Sequence, residues 1–251
     1  IAFCANDKLL VDFQESNKLL ELVSKGLNDY LETKRAGFAR FYFLSNDELL
    51  EILSQTKDPR AVQPHLRKCF EAIASLQFED DLAMVEMISG EGEHVAFESK
   101  LYPKGNVEDW LTQVERMMQR SVRLAMHNAI KAYYQSARAD WVRQHPAMCV
   151  INGSQYFWTL ELEEKITTSG TDGVREYYKQ SLAQIDDLIN LVRGDLTKQQ
   201  RMGIGALIVI EVHARDVVAK LVKNEIKTVN DFDWVSQMRY YWERREGKHK
   251  S

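Results

Sequence analysis

Cysteine, proline, glycine and excess positive charge are all scarce in this 251-residue chain. Each shortage excludes something. Lys plus Arg number 33 against 37 for Asp plus Glu, a formal net charge of −4. There is no basic excess to drive counterion-release binding, so nucleic acid is not an expected partner. The three cysteines, Cys4, Cys69 and Cys149, are odd in number and far apart, which argues against a disulfide framework and fits a reducing compartment. Four prolines and 12 glycines are too few for a collagen-like, linker-like or turn-dense all-β chain. The longest apolar run, Ile204–Ile210, reaches Val212 only across Glu211 and meets His213, Arg215 and Asp216. A membrane span needs about 20 such residues, so the run reads as a buried helix and no membrane partner is expected. No secretory signal is visible, and a chain beginning with Ile reads as a processed protein or part of a longer one.

What is present is helical spacing, in a chain with 45% hydrophobic and 28% charged residues. Leu9, Phe13, Ser16, Leu20, Val23, Leu27 and Tyr30 alternate steps of four and three, a seam for packing along a neighbouring helix. Ser45-Asn46-Asp47-Glu48 is a capping box for a short helix that Asp58-Pro59 closes. Pro64 suits a first helical turn, with Leu66, Cys69, Phe70 and Ile73 as the buried stripe. Asn106 and Asp109 open what reads as the longest helix, buried along Val107, Leu111, Val114, Met118, Val122, Ala125, Ala129 and Ala132. A further helix runs from Pro146 to Ile166, and Thr167–Gly173 reads as a loop. Tyr178, Leu182, Ile185, Ile189 and Val192 form another seam. Thr197 and Gln200 resemble a second capping box for a helix ending around Lys220–Lys223. Asp231 caps a short aromatic helix bearing Trp234, Met238, Tyr241 and Trp242, and the charged tail 244–251 reads as disordered.

One segment breaks the helical period. Met84–Ile88 and His94–Ser99 flank Ser89-Gly90-Glu91-Gly92-Glu93, and Val95 and Phe97 alternate with Ala96 and Glu98. This predicts a β-hairpin, which is marginal alone and must lean on something. The expected fold class is therefore mainly α, an elongated bundle of long antiparallel helices with one small β-hairpin near 84–99.

Chemistry is thin. No phosphate-cradling Gly-Lys motif occurs, and two carboxylates in Gly90-Glu91-Gly92 would repel an anion. His213-Ala214-Arg215-Asp216 lies inside a helical stretch and lacks the partners of a phosphoryl-transfer loop, which favours a polar collar with Arg215 and Asp216 paired. Glu211 and His213 lack further metal ligands at suitable spacing. Glu163-Glu164 and Asp186-Asp187 read as solvated faces rather than acid/base dyads. We expect no catalytic, cofactor-binding or metal residues. The candidate contacts are Glu91, Gly92 and Glu93 at the hairpin tip and the aromatic set Trp234, Tyr240, Tyr241 and Trp242, which fits a core or a docking surface equally. Ser45, Glu48, Asn106 and Asp231 are the candidate structural caps. On the residues alone the chain is a scaffold or a lever. A stand-alone enzyme using Glu211, His213 and Asp216 is the remaining alternative.

Longer strings carry a resemblance. Phe41-Tyr-Phe-Leu-Ser-Asn-Asp-Glu-Leu-Leu-Glu-Ile-Leu-Ser-Gln-Thr-Lys-Asp-Pro59 resembles the dynein heavy chain linker. So do Val62-Gln-Pro-His-Leu66, Ser89-Gly-Glu-Gly-Glu93 and Asn106-Val-Glu-Asp-Trp-Leu111. Gly205-Ala-Leu-Ile-Val-Ile-Glu-Val-His-Ala-Arg-Asp216 and Asp231-Phe-Asp-Trp-Val-Ser-Gln-Met-Arg-Tyr-Tyr-Trp242 continue it in the family's order. Gly26-Leu-Asn-Asp-Tyr-Leu-Glu-Thr-Lys-Arg35 is closer to the axonemal branch. Ala39, where the family often has Pro, and the tail from Arg244 depart from the pattern. The resemblance implies that residues 1–243 are the ring-proximal half of the linker, a lever that bends and straightens over a ring of AAA+ modules. It also implies that the tail leads toward the first module. ATP and Mg would belong to that ring and not to this segment. The implied partners are the ring of the same heavy chain and, through it, other dynein subunits and microtubules. The implied location is the cytoskeleton of a cilium or flagellum, its axoneme. Ring contacts are expected at Glu91 and Glu93 and at the terminal aromatic helix. A helical protein-interaction scaffold unrelated to motors is the competing reading.

Overall fold

The structure is a computed structural model that describes residues 7–54 and 58–243, with the side chain of Asp7 left aside. The tail 244–251 and Cys4 lie outside the described residues. The chain divides into two compact units, 1–121 and 122–251. The mainly helical class holds, with long helices and one small antiparallel sheet.

In the first unit, α1 (Asp7–Gly37) is followed by a 3-10 turn (Ala39–Phe43), α2 (Asn46–Ser54), a second 3-10 turn (Pro59–His65) and α3 (Leu66–Cys69). Only the last turns of α1 enter the core. Leu31 and Arg35 are buried there, and the Arg35 guanidinium donates to the Leu44 carbonyl and the Asn46 side chain, fastening α1 to the start of α2. Phe38 meets Phe41 edge-on at 5.1 Å and Phe70 at 6.0 Å, an aromatic knot at the break Gly37 makes. The seam expected along α1 stays exposed from Phe13 to Tyr30, with Phe13 60%, Leu20 65% and Val23 67% exposed, and the buried positions are Leu31 and Arg35 instead. Ser45 and Glu48 form the anticipated capping box, the Glu48 amide donating to the Ser45 hydroxyl at 3.3 Å and the Ser45 amide to the Glu48 carboxylate at 2.9 Å.

The hairpin is present as β2 (Met84–Ser89) and β3 (His94–Leu101), with Val95 and Phe97 buried in alternation. It does not stand alone. Ile73, expected on a helical stripe, opens a third strand, β1 (Ile73–Phe78), antiparallel to β2 with Leu76 opposite Met87. The apolar residues of β1 fall three apart at Ile73 and Leu76, a spacing that mimics a helix turn. Bulges on either side of the central pairs produce it. The free edge of β1 is covered by the side chain of Gln63, which donates to the Leu76 carbonyl at 2.6 Å and accepts from its amide at 2.9 Å, as another strand would.

Helix α4 (Val107–Ala132) carries the chain from the first unit into the second. It is not the longest helix, since α1 has 31 residues. Asn106 stands before it as expected, and its amide is taken by the Asp109 carboxylate at 3.2 Å. The second unit continues with α5 (Arg138–Gln144), α6 (Ala147–Arg193), α7 (Lys198–Lys223) and α8 (Phe232–Val235).

The long run of α6 is two helices. Gly170 has φ 55 and ψ −134 and folds the chain back on itself, so the loop expected over Thr167–Gly173 narrows to one residue. Cross-links between the arms fix the antiparallel register: Lys165 pairs with Glu176 at 2.8 Å, and Gln180 donates to Glu161 at 2.9 Å. The second arm buries Val174, Tyr177, Ser181, Ile185 and Leu188. Its seam therefore lies one position earlier than Tyr178 and Leu182 at its start. Helix α7 begins with the expected capping box of Thr197 and Gln200 and packs along both arms.

Candidate functional site

In the second unit the two arms of α6 and helix α7 enclose two apolar clusters with a polar layer between them. One cluster joins Trp141, Cys149, Val150, Leu188, Ile204 and Leu207. The other, toward the Gly170 turn, joins Leu162, Ile166, Val174, Tyr177, Val218 and Trp234. Glu211 lies between them on α7 and forms an ion pair with Arg138 of α5; their side chains are 11% and 15% exposed. The Arg138 guanidinium also donates to the Tyr133 hydroxyl at 2.9 Å and to the Ser154 hydroxyl at 3.4 Å. Beside them Glu161 accepts from the Tyr134 hydroxyl at 3.1 Å and from Gln180.

Burial sets the electrostatics of this layer. It holds the Glu211 carboxyl above the ordinary carboxylate value, and Arg138 offsets only part of that penalty. Burial raises Glu161 in the same direction, against its two hydrogen bonds. The Tyr133 phenol is pushed up to about 12, again chiefly by burial. Glu211 is thus a structural partner of Arg138. His213 is exposed two positions further along α7, and Arg215 pairs with Asp216 at 2.6 Å, the polar collar anticipated. Among the described residues no group of three or more His, Cys, Asp or Glu side chains is placed to hold a metal ion, and no helix is long and apolar enough to cross a membrane.

The aromatic set is dispersed. Trp234 belongs to the core: it is 0% exposed, with its ring 5.2 Å from that of Trp158, so it presents no docking surface. Helix α8 stops at Val235, so Met238, Tyr240, Tyr241 and Trp242 lie on an irregular strap, not on the helix expected for them. Asp231 occupies the N-cap position of α8, but its carboxylate reaches back to the amides of Lys227 and Thr228 at 2.6 and 3.1 Å. Those two bonds lower its pKa. It tightens the turn before the helix.

The strap crosses the first arm of α6. Tyr240 lines a cleft of about 170 Å³ with Trp158, Glu211 and His213 on one side. On the other side it lines a cleft of about 240 Å³ with Met148, Cys149 and Tyr156. The attachment point is Glu163, which the sequence offers only as half of an exposed acidic pair. Its carboxylate accepts from the Tyr241 hydroxyl at 2.6 Å and from the Trp234 indole at 3.3 Å, and faces the Arg239 guanidinium at 3.6 Å.

At the hairpin tip Glu91 is exposed and Glu93 half-buried. Gly92 takes φ 81, and its amide donates to the Ser89 carbonyl at 3.0 Å. The Ser89 hydroxyl accepts from the Glu93 amide at 3.0 Å. The tip is therefore a closed turn on the edge of the sheet. It belongs to the first unit, and the strap to the second.

Residues 1–129 match the family model of the dynein heavy chain, N-terminal region 2. Over 242 residues the chain is 53% identical to dynein axonemal heavy chain 1 of Rattus norvegicus, covering 96% of this chain and 5% of that protein. It is 50% identical over 254 residues to dynein axonemal heavy chain 12 of Mus musculus, covering 96% and 8%. Against dynein axonemal heavy chain 3 of Homo sapiens it is 53% identical over 232 residues, covering 91% and 6%. The chain thus spans less than a tenth of the length of these relatives.

Proposed function

The chain belongs to the dynein heavy chain family, and from that premise we propose that it is a force-transmitting linker segment: a lever that bends and straightens over an AAA+ ring as the ring hydrolyses ATP. The observation that carries this reading is the core of the second unit. Two closely packed apolar clusters tie both arms of α6 to α7, and a buried ion pair joins α7 to α5. A lever must resist bending, and helices packed against one another along their length supply that resistance. Nucleotide, Mg and hydrolysis belong to the ring in this reading, and the segment contributes no catalytic group. Its partners are the ring and, through the rest of the heavy chain, other dynein subunits and microtubules, in the axoneme of a cilium or flagellum.

A switching lever also needs contacts made in one state and lost in another. Taking a two-state element from 1:99 to 99:1 requires about 5.5 kcal/mol of differential interaction. We assign such contacts to the hairpin tip at Glu91 and Glu93 and to Tyr240, Tyr241 and Trp242 on the strap. Trp234 is excluded because the core holds it.

The reading is tested by energy transfer in the intact heavy chain, between a dye at position 91 and a second dye on the ring. The lever predicts two distinct efficiencies whose populations exchange with nucleotide state. A single efficiency, unmoved by ATP or ADP, would favour the fixed helical scaffold unrelated to motors.

A further inference from the structure

We infer that Glu163 is a clasp: one carboxylate fastens the strap 236–242 to the helical hairpin, and load passing along the chain at this end crosses it. This rests on the lever reading for its mechanical half only.

Three observations converge. First, apart from Tyr240, half-buried between the two clefts, the strap is held chiefly by polar contacts. Met238 is 77% exposed, and Tyr241 and Trp242 are exposed as well. A segment held by side-chain burial detaches only at the cost of a core, whereas this one is held at a few points. Second, those points are concentrated. Glu163 receives Tyr241 and Trp234 and faces Arg239, so residues from α8 and from the strap share a single acceptor. Hydrogen bonds to an ionised group are among the stronger polar contacts, and a shared one makes the attachment all-or-none. Third, a backbone anchor lies a helical turn away on the same arm. The Tyr240 amide donates at 3.0 Å to the hydroxyl of Thr159, which is fully buried. Positions 159 and 163 are four apart and therefore adjacent on one helix face, so the strap lies along a two-point track.

The clasp is a device of attachment and not a catalytic group. With Glu163 engaged, the strap and the hairpin move as one body. With it released, the strap is free to swing on α8, whose Trp234 stays in the core.

The test is made in the intact heavy chain with Glu163→Ala, Glu163→Gln and the wild type. Amide exchange across 239–242 is expected to accelerate at least about tenfold in Glu163→Ala, with α6 and α7 amides unchanged. Microtubule gliding is expected to slow while ATP hydrolysis continues. Glu163→Gln keeps an acceptor for Tyr241 but loses the charge facing Arg239, and should fall between the two. Wild-type exchange across 239–242 in Glu163→Ala would overturn the clasp, whatever happens to movement. Accelerated exchange with unchanged gliding would overturn its load-bearing role. Failure of the lever reading itself would appear separately, as movement that tolerates a flexible break in a chain whose clasp is intact.

Discussion

Replacing Arg138 by methionine is expected to lower the stability of the second unit by about 3–5 kcal/mol, because it strands Glu211 in a site that water scarcely reaches. In the intact heavy chain this reads as a fall of two to four orders of magnitude, roughly, in the protection of the slowest α7 amides. The loss should depend on pH in a definite direction. Burial raises the Glu211 carboxyl in the folded state, so folding takes up a proton there in the window above its ordinary value of 4.5. Stability from that protonation is fully present below the unfolded value and fades as pH rises through the folded one. Without Arg138 the folded value climbs further. The deficit should therefore be smaller near pH 5 than near pH 8. A deficit that is flat across this range, or largest in acid, would show that Glu211 is not what Arg138 neutralises. Changing both residues together, Arg138→Met with Glu211→Leu, should recover most of the loss, since no buried charge is then left alone.

The second large effect is expected at Gly173. A Cβ there would sit 2.2 Å from the Lys165 carbonyl oxygen and 2.8 Å from its carbon, both backbone atoms of the opposing arm. Neither can rotate away, so Gly173→Ala must force the arms of α6 apart just where the chain has turned. The expected cost is about 3 kcal/mol, at the upper end of overpacking effects. It should loosen the cluster of Leu162, Ile166, Val174 and Trp234 before the cluster around Trp141. Gly205→Ala is the control. Nothing lies within 4 Å of a Cβ at that position of α7, and alanine there should gain up to about 1 kcal/mol through helix propensity. Amide exchange across 162–177 distinguishes the two. Equal protection in Gly173→Ala and the wild type would refute the close approach.

The elements legible from sequence were those whose signals are local. The Ser45–Glu48 and Thr197–Gln200 boxes marked helix starts because a cap is written in four residues. The hairpin showed because alternation and a Gly-rich turn fall within one short stretch. What escaped depended on distant partners. Strand β1 is bulged, so its apolar positions took a helical step, and only β2 beside it makes it a strand. The antiparallel hairpin of α6 rests on Gly170, yet a Thr/Ser/Gly-rich stretch looks the same whether it turns in one residue or in seven. The polar layer was hidden for a related reason. Glu211 interrupts an apolar run, and nothing local shows that Arg138, 73 residues earlier, would meet it. Glu163 appeared as half of an acidic pair, and its three partners all lie more than 70 positions away. The aromatic set read as one unit in the sequence, core or docking surface equally, and the fold splits it. The assignment of Trp234 to the core and of Tyr241 and Trp242 to the exterior needed the fold. The seam read along α1 is exposed from Phe13 to Tyr30, and the helix buries Leu31 and Arg35 instead, because burial depends on neighbours that spacing does not encode.

Stiffness is the claim on which the proposed function turns, and α4 is the place to remove it. About seven Gly/Ser residues inserted between Arg123 and Leu124, both exposed, would break the helix, while a helical insert of the same length adds nearly two full turns and preserves its faces. Microtubule gliding by the intact motor is the measurement. The flexible insert should abolish directed movement while ATP hydrolysis persists, and the helical insert should leave both in place. Gliding at the normal speed with the flexible insert would contradict the lever.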